Sequence, residues 1–174
     1  MALYEFEGKK PLVPPDSFVH PQAVLIGDVK IGHECLIAPG ASIRADFGPV
    51  VIGDRCSIQD NSVIHVFPGS IVTIGDDVTI AHSVLIHDAQ IKARCVIGMG
   101  SILLFNVVCE EDVFVSAGSL IQKDMRIPAG KNASGNPAMI THDVTQNQKQ
   151  MAKTGVDYYC DLCKKYLATM KEIT

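Results

Sequence analysis

Three histidines in one stretch are the residues of this 174-residue chain best suited to chemistry. His65, His82 and His87 lie in segment 64–87, which is otherwise rich in isoleucine and valine. Neutral imidazoles are common ligands of transition metals, and three of them around an open fourth position are typical of a catalytic zinc site. Whether these three can meet depends on the elements that carry them.

A six-residue repeat of aliphatic residues runs through most of the chain and predicts the fold. We call the first residue of each repeat its head, and seventeen of the eighteen heads are aliphatic. They are Val19, Leu25, Ile31, Ile37, Ile43, Ile52, Ile58, Ile64, Ile74, Ile80, Ile86, Ile91, Ile97, Leu103, Cys109, Val115, Ile121 and Ile127. A six-residue period fits neither an amphipathic helix nor a simple array of hairpins. It predicts a solenoid in which each repeat forms one flat side and three sides form a coil, about six coils in all.

The segments outside the repeat are expected to be different in structure. Residues 1–17 contain three prolines and are predicted to be irregular after a short strand-like start. A turn-rich exit segment follows Ile127, and apolar residues at three- and four-residue steps predict a helix from about Val144 to Ile173. We therefore expect a single domain, 1–174, with an N-terminal segment 1–17, a β-helix and exit segment 18–142, and a C-terminal helix 143–174.

Composition limits the functional classes. The net charge of −4, without a basic cluster, argues against a nucleic-acid partner. No apolar run approaches the roughly 18–20 residues of a membrane helix. The start of the chain has no apolar signal-peptide core, so the six cysteines are expected to be reduced thiols in a cytoplasmic protein. The C-x-x-C at Cys160 and Cys163 is interpreted as packing.

The repeat also predicts which histidines stack. Heads three repeats apart share a face, so Ile43, Ile64 and Ile86 form a column, and the residues that follow them, Arg44, His65 and His87, form another. Neighbouring coils are about 4.8 Å apart, so His65 and His87 can bind one metal ion.

His82 belongs to a different side of the coil. It follows its head, Ile80, by two positions, and the chain turns a corner before His87, so His82 must point elsewhere. Three copies around a three-fold axis could bring His82 of one subunit to His65 and His87 of the next. This predicts a homotrimer with zinc, or iron or cobalt, at each interface; the alternative is that all three are ordinary surface histidines, as we expect for His20, His33 and His142.

Several motifs resemble the γ-class carbonic anhydrases over nearly the whole chain: I-R-A-D-F-G (43–48), S-I-Q-D-N-S-V-I-H (57–65), I-A-H-S-V-L-I-H (80–87), V-I-G-M-G (96–100) and G-N-P-A (135–138). Segment 4–29 is most similar to the phenylacetate-degradation and carnitine-operon proteins of this group. The resemblance implies an all-β solenoid, a left-handed parallel β-helix with a C-terminal helix packed on it. It also implies a trimer with metal at its interfaces and His65, His82 and His87 as the ligands.

The resemblance also implies roles for four residues near the metal. Arg44 and Asp46 match an Arg-x-Asp beside the site; an intersubunit ion pair with only a structural role is the alternative. Gln59 would hydrogen-bond the metal-activated water or the substrate. Asp60 stacks one coil from His82 by register and could orient it, or it could be a turn residue.

Two further positions bear on activity. Tyr159, or Tyr158 in a register one residue earlier, could match a family tyrosine that reaches the site from the C-terminal helix. Phe47 stands where the carbonic anhydrase prototype has an acidic residue. Segment 66–70, V-F-P-G-S, replaces an acidic loop that moves protons to solvent in the prototype.

The leading hypothesis is zinc-dependent hydration of carbon dioxide to bicarbonate, a lyase reaction, by water activated at the trimer interfaces. The same activated water could instead hydrolyse an acyl-CoA thioester, as the likeness to the phenylacetate branch suggests. A hexapeptide acyltransferase with one histidine as general base would need no metal. The fourth possibility is a non-catalytic, metal-binding scaffold trimer.

Overall fold

The structure is a computed structural model that describes residues 2–173. Its elements in chain order are β1 (Ala2–Tyr4), β2 (Phe18–Val19), β3 (Val24–Ile31), β4 (Leu36–Ile37), β5 (Ser42–Ile52), β6 (Ser57–Ile58), β7 (Val63–His65), β8 (Val72–Ile74), β9 (Thr79–Ile80), β10 (Leu85–His87), β11 (Ala89–Ile91), β12 (Val96–Ile97), β13 (Ile102–Leu103), β14 (Val107–Cys109), β15 (Phe114–Val115), β16 (Leu120–Ile121), β17 (Arg126–Ile127), β18 (Lys131–Gly135), β19 (Ala138–Asp143) and α1 (Gln146–Thr169).

The repeat folds into a left-handed parallel β-helix, as predicted. All eighteen heads are at most 6% exposed and belong to one continuous core. Because a fully buried aliphatic side chain stabilises the fold by about 1.5–3 kcal/mol, this column of heads is the main source of stability. The solenoid also continues one repeat beyond the prediction, because fully buried Ala133 pairs with Val115 of the previous coil.

The β-helix is a prism with three faces. The histidine face contains β7, β10, β13 and β16 with the first halves of β3 and β5, and the third face contains β8, β11, β14 and β17 with their second halves. Strands β3 and β5 turn the corner between these faces and join them into one sheet. The helix face contains β2, β4, β6, β9, β12, β15 and β18, and α1 packs against its first four strands.

Corners of the coils use residues in the left-handed conformation. At the corner between the third face and the helix face, Glu34, Arg55, Asp77, Arg94 and Asp112 all have φ between 53° and 60°. Ion pairs follow this column: Arg55 pairs with both Glu34 and Asp77, and Arg94 pairs with Asp112. Non-glycine residues rarely adopt this conformation, so the packed coils above and below must impose it.

The C-terminal helix is shorter than predicted. Thr145 is its N-cap and forms a capping box with Gln148, and Met170 is its C-cap. Val144 lies outside the helix, and its N–H donates to the carbonyl of Gly130. The predicted helical residue Ile173 lies beyond the cap and is 94% exposed, so nothing packs against it to extend the helix.

The exit segment is more regular than predicted. Strands β18 and β19 form an antiparallel pair at the end of the helix face, with a register shift between Asn132 and Ala133. Asn132 is buried, and its side chain donates to the hydroxyl of Thr141. These long-range hydrogen bonds order a sequence whose composition indicates only turns.

The six cysteines are free and buried. Cys163 of α1 lies 3.1 Å from the carbonyl oxygen of Cys35, to which its thiol donates. It packs with Leu36 and Ala38 of the helix face, close to Tyr159 and Tyr166. The C-x-x-C sequence therefore anchors the helix to the prism.

Candidate metal centre

The histidine face stacks Arg44, His65 and His87 in one column, in the register that the repeat predicts. Nδ1 of His65 lies 3.2 Å from Nε2 of His87. The two rings are nearly perpendicular, with centroids 5.0 Å apart. Adjacent coils thus bring two imidazole nitrogens into direct contact on the surface of the prism.

Asp46 fixes the orientation of His65. Its Oδ1 lies 3.0 Å from Nε2 of His65, and its Oδ2 accepts a 2.5 Å hydrogen bond from Arg44. Although burial raises the pKa of Asp46, hydrogen bonds from Arg44 and His65 hold it below its usual value. An ionised carboxylate requires a proton on Nε2 of His65, which leaves the lone pair of Nδ1 directed at His87. The Arg44–Asp46 ion pair forms within one chain, so an intersubunit partner is not needed to explain it.

The pair of nitrogens suits a metal ion. Two nitrogens, each 2.0–2.1 Å from a tetrahedral zinc ion, lie about 3.3 Å apart, close to the observed 3.2 Å. Burial lowers the pKa of His87, and nearby His65 lowers it further, which favours the neutral ring that metal binding requires. A carboxylate on the far nitrogen of a ligating histidine is also common, and Asp46 occupies that position.

His82 lies on a different part of the prism. It follows β9 of the helix face, and its Nδ1 is 2.8 Å from Oδ2 of Asp60, one coil away. Both side chains are close to half exposed, 45% and 44%, whereas His65 is only 12% exposed. The Nε2 nitrogen of His82 is thus available on the outer surface, with its ring held by a carboxylate.

Gln59 and Tyr159 accompany His82 on the helix face. Gln59 is 4% exposed. Burial raises the pKa of the Tyr159 hydroxyl, the charge of Asp60 raises it further, and the nearby side chain of Gln59 opposes both. Tyr158 is 70% exposed and points away from this cluster. Of the two tyrosines, Tyr159 is the one placed beside Gln59 and Asp60.

The predicted site residues therefore fall into two groups within one chain. Arg44, Asp46, His65 and His87 lie on the histidine face, and Gln59, Asp60, His82 and Tyr159 lie on or beside the helix face. Within residues 2–173, no group of three or more His, Cys, Asp or Glu side chains is arranged to hold a metal ion. A three-histidine site requires both groups, and hence a second subunit.

Three phenylalanines extend the histidine pair into a continuous row of rings. Phe47 lies 5.7 Å from His65, and Phe105 lies 4.5 Å from His87, between ring centroids. Phe67 packs edge-on against Phe105 at 5.7 Å. The sequence motifs drew attention to Phe47 and segment 66–70, but Phe105 was missed because no periodic signal marks it.

The cavity beside the C-terminal helix does not contain the predicted site residues. A cavity of about 350 Å³ lies between α1 and the prism, where Val96, Phe114, Lys149 and Val156 line it with their neighbours. None of the proposed metal or active-site residues reaches it.

Within the described part of the chain, no helix is both long and apolar enough to cross a membrane.

Comparison with known proteins decides the family. The chain is 36% identical to γ carbonic anhydrase 1, mitochondrial, of Arabidopsis thaliana over 166 residues, which cover 92% of this chain and 60% of that protein. It is 31% identical over 172 residues to the carnitine operon protein CaiE of Escherichia coli, covering 99% of this chain and 88% of CaiE. The chain belongs to the γ-carbonic-anhydrase-like family of hexapeptide-repeat proteins.

A solved structure has the same fold. A putative acetyltransferase from Bacillus cereus is 32% identical and superposes with a TM-score of 0.94 over 96% of this chain and 97% of that one. No family model matches the chain. The chain spans about 60% of the length of the plant γ carbonic anhydrase, so the activity of that larger protein is not transferred with the family.

Proposed function

We propose that this member of the γ-carbonic-anhydrase-like family is a homotrimer that hydrates carbon dioxide to bicarbonate at metal sites between subunits. The observation that carries the proposal is the pair of nitrogens of His65 and His87, 3.2 Å apart, with His82 exposed on another face. His65 and His87 of one subunit and His82 of the next would hold the metal, with zinc as the first choice. Zinc held there would supply an activated water as the nucleophile at neutral pH.

The residues of the chain have separate tasks in this proposal. Asp46 and Asp60 fix the rings of His65 and His82, each by accepting a hydrogen bond from the nitrogen that would not bind the metal. Arg44 keeps the carboxylate of Asp46 ionised. Gln59, whose side-chain amide is buried beside Tyr159, would hydrogen-bond the incoming substrate. We also propose that the whole chain, residues 1–174, folds as a single domain.

Two measurements on the purified protein test the proposal. Native mass spectrometry should give a trimer, and metal analysis should give one metal ion per subunit. Stopped-flow measurement after loading with zinc, cobalt or anaerobic iron should show carbon dioxide hydration, and His82→Ala should abolish it. A metal-loaded trimer without hydration would contradict the reaction, and a native monomer without metal would contradict the site.

Acyl transfer is the second candidate, favoured by the 32% identical structure described as a putative acetyltransferase. In that case one histidine acts as a general base on the acceptor, and the metal is unnecessary. Metal-free protein that transfers an acetyl group from acetyl-CoA to an amine or alcohol would support it. Loss of all activity on metal removal would count against it.

A further inference from the structure

The C-terminal helix does not lie flat on the whole of the helix face. It packs against β2, β4, β6 and β9, and near its start Nε2 of Gln148 donates to Oδ1 of Asn132 in β18. Over β12 and β15, between these attachments, the cavity of about 350 Å³ separates the helix from the prism, with Val96 and Phe114 on the prism side. Ligand pockets in proteins begin at about 300 Å³, so this space is large enough for a small molecule.

A short side chain on the helix leaves the cavity open. Gln148, Ala152 and Val156 line the cavity and recur at four-residue steps, so they share one side of α1. Ala152 lies in the middle of this row and has the smallest side chain of the three. Val156 is 5% exposed, and Val113 on the opposite wall is 1% exposed. The interior of the cavity is therefore apolar.

The charged residues of the cavity leave an excess of positive charge. Three carboxylates and four cationic side chains line it together with the apolar residues. All three carboxylates are paired with arginine, because Arg55 pairs with Asp77 and Asp157, and Arg94 pairs with Asp112. The remaining two cations are lysines.

These lysines, Lys149 and Lys153, stand four residues apart on the exposed side of the cavity. In the part of the chain that the structure describes, neither of them forms an ion pair. The pKa of Asp112 is lowered mainly by the hydrogen bond from Arg94 and more weakly by the charge of Lys149. Lys149 is thus a secondary neighbour of a carboxylate that is already paired.

The cavity lies away from the proposed subunit interface. On the prism it reaches the corner between the third face and the helix face, where Arg55 and Arg94 stand in the column of left-handed residues. His82 lies at the opposite edge of the helix face, where the chain turns from β9 to β10 of the histidine face. A partner placed against His82 and the histidine face would therefore leave the cavity open.

On this basis we infer that the cavity binds a small carboxylate with an apolar body, at a site separate from the candidate metal centre. The body lies against Val96, Phe114 and Val156, and the carboxylate accepts hydrogen bonds from Lys149 and Lys153. Charge selects an anion, because the carboxylates of the cavity are already paired and the unpaired charges are positive. The ligand contacts both α1 and the prism, so its binding stabilises the docked helix. The inference needs no metal and is independent of the hydration reaction.

NMR of protein with labelled valine methyl groups tests where such a ligand binds. Octanoate added to the purified protein should shift the signals of Val96, Val113, Val144 and Val156, which all line the cavity. The signals of Val63, which is 41% exposed on the histidine face, should stay unchanged. Shifts at Val63 without shifts at the four cavity valines, or no shifts at all, would overturn the inference.

The role of charge is tested with ligands that share one chain length. Titration calorimetry should give octanol about fivefold weaker affinity than octanoate, because each exposed lysine contributes only modestly, and octylamine should bind more weakly still. Lys149→Gln combined with Lys153→Gln should lower the affinity for octanoate to that for octanol. Lys165→Gln combined with Lys171→Gln removes the same charge outside the cavity and is the matched control. Equal affinity for the three ligands, or an equal loss in the control, would contradict the inference.

The role of the cavity is tested by filling it. Ala152→Leu should weaken octanoate binding by more than about tenfold, since each methylene that loses its contact costs about fourfold. Gln150→Leu adds a leucine to the outer side of the same helix, beside Tyr158, and should leave the affinity unchanged. Undiminished binding by Ala152→Leu would show that octanoate binds elsewhere. Because the lysine variants change only exposed side chains, they test the inference even where Ala152→Leu alters the packing of the helix.

Discussion

Subunits that carry His65→Ala and subunits that carry His82→Ala are expected to rebuild together the metal sites that neither variant forms alone. Each proposed site takes His65 and His87 from the histidine face of one subunit and His82 from the helix face of the next. A site is intact when its first subunit carries His82→Ala and its neighbour carries His65→Ala. Random assembly of equal amounts meets both conditions at about one quarter of all sites.

Purified mixed trimers give a sharper number. A mixed trimer contains two subunits of one variant and one of the other. Around its ring, a His82→Ala subunit is followed by a His65→Ala subunit once and only once, whichever variant is in the majority. Every mixed trimer should therefore bind about one metal ion, against about three in the parent trimer. Co-expression with two affinity tags isolates these trimers, and native mass spectrometry with metal analysis after dialysis against a chelator counts the ions.

The structure supplies the matched control for this experiment. His65 and His87 lie on the same face of the same chain and touch through their ring nitrogens. Subunits with His65→Ala and His87→Ala can therefore never complete one another, and their mixed trimers should bind no metal ion. Metal in that control, or its absence from confirmed His65→Ala and His82→Ala mixed trimers, would refute the division of ligands between two faces.

Three further changes follow from individual contacts. Asp46→Asn should weaken zinc binding by about 10- to 100-fold in competition with a chelator, because it loses the charge that holds His65; an unchanged affinity would mean that Asp46 only pairs with Arg44. Ile64→Ala should lower the free energy of unfolding by about 2–5 kcal/mol in urea, because Ile64 is fully buried between stacked coils; a loss below that range would show that the core closes around the gap. Thr145→Ala should cost about 1 kcal/mol through loss of the capping box, whereas the same change at Thr154, inside the helix, should cost less; equal losses would argue against the cap.

The Arg44–Asp46 pair shows how a charged group can serve the site without contacting substrate. Asp46 is largely covered, and its ionised form depends on hydrogen bonds from Arg44 and His65. An ion pair whose arginine is 43% exposed contributes little net stability, because solvent screens it. Its main effect here is to determine which nitrogen of His65 carries the proton, and therefore which one is free to bind a metal.

The repeat made the architecture and one half of the candidate site predictable from the sequence. A six-residue period determines which side chains are buried, because three flat sides per coil place every head in the interior. The same count stacks His65 on His87 and separates His82 from both. It also places Asp60 one coil from His82, because the number of repeats per coil determines which residues of neighbouring coils lie side by side.

Other features depend on contacts between distant residues and needed the tertiary structure. Ring contacts of Phe105 with His87 and Phe67 depend on side-chain directions across three coils, which periodicity does not encode. Long-range hydrogen bonds order β18 and β19, although their composition indicates turns. The choice between Tyr158 and Tyr159 depends on how α1 is rotated, and that rotation is determined by the packing of Cys163 against the helix face. Local spacing determined the stacking, and packing between elements decided what surrounds it.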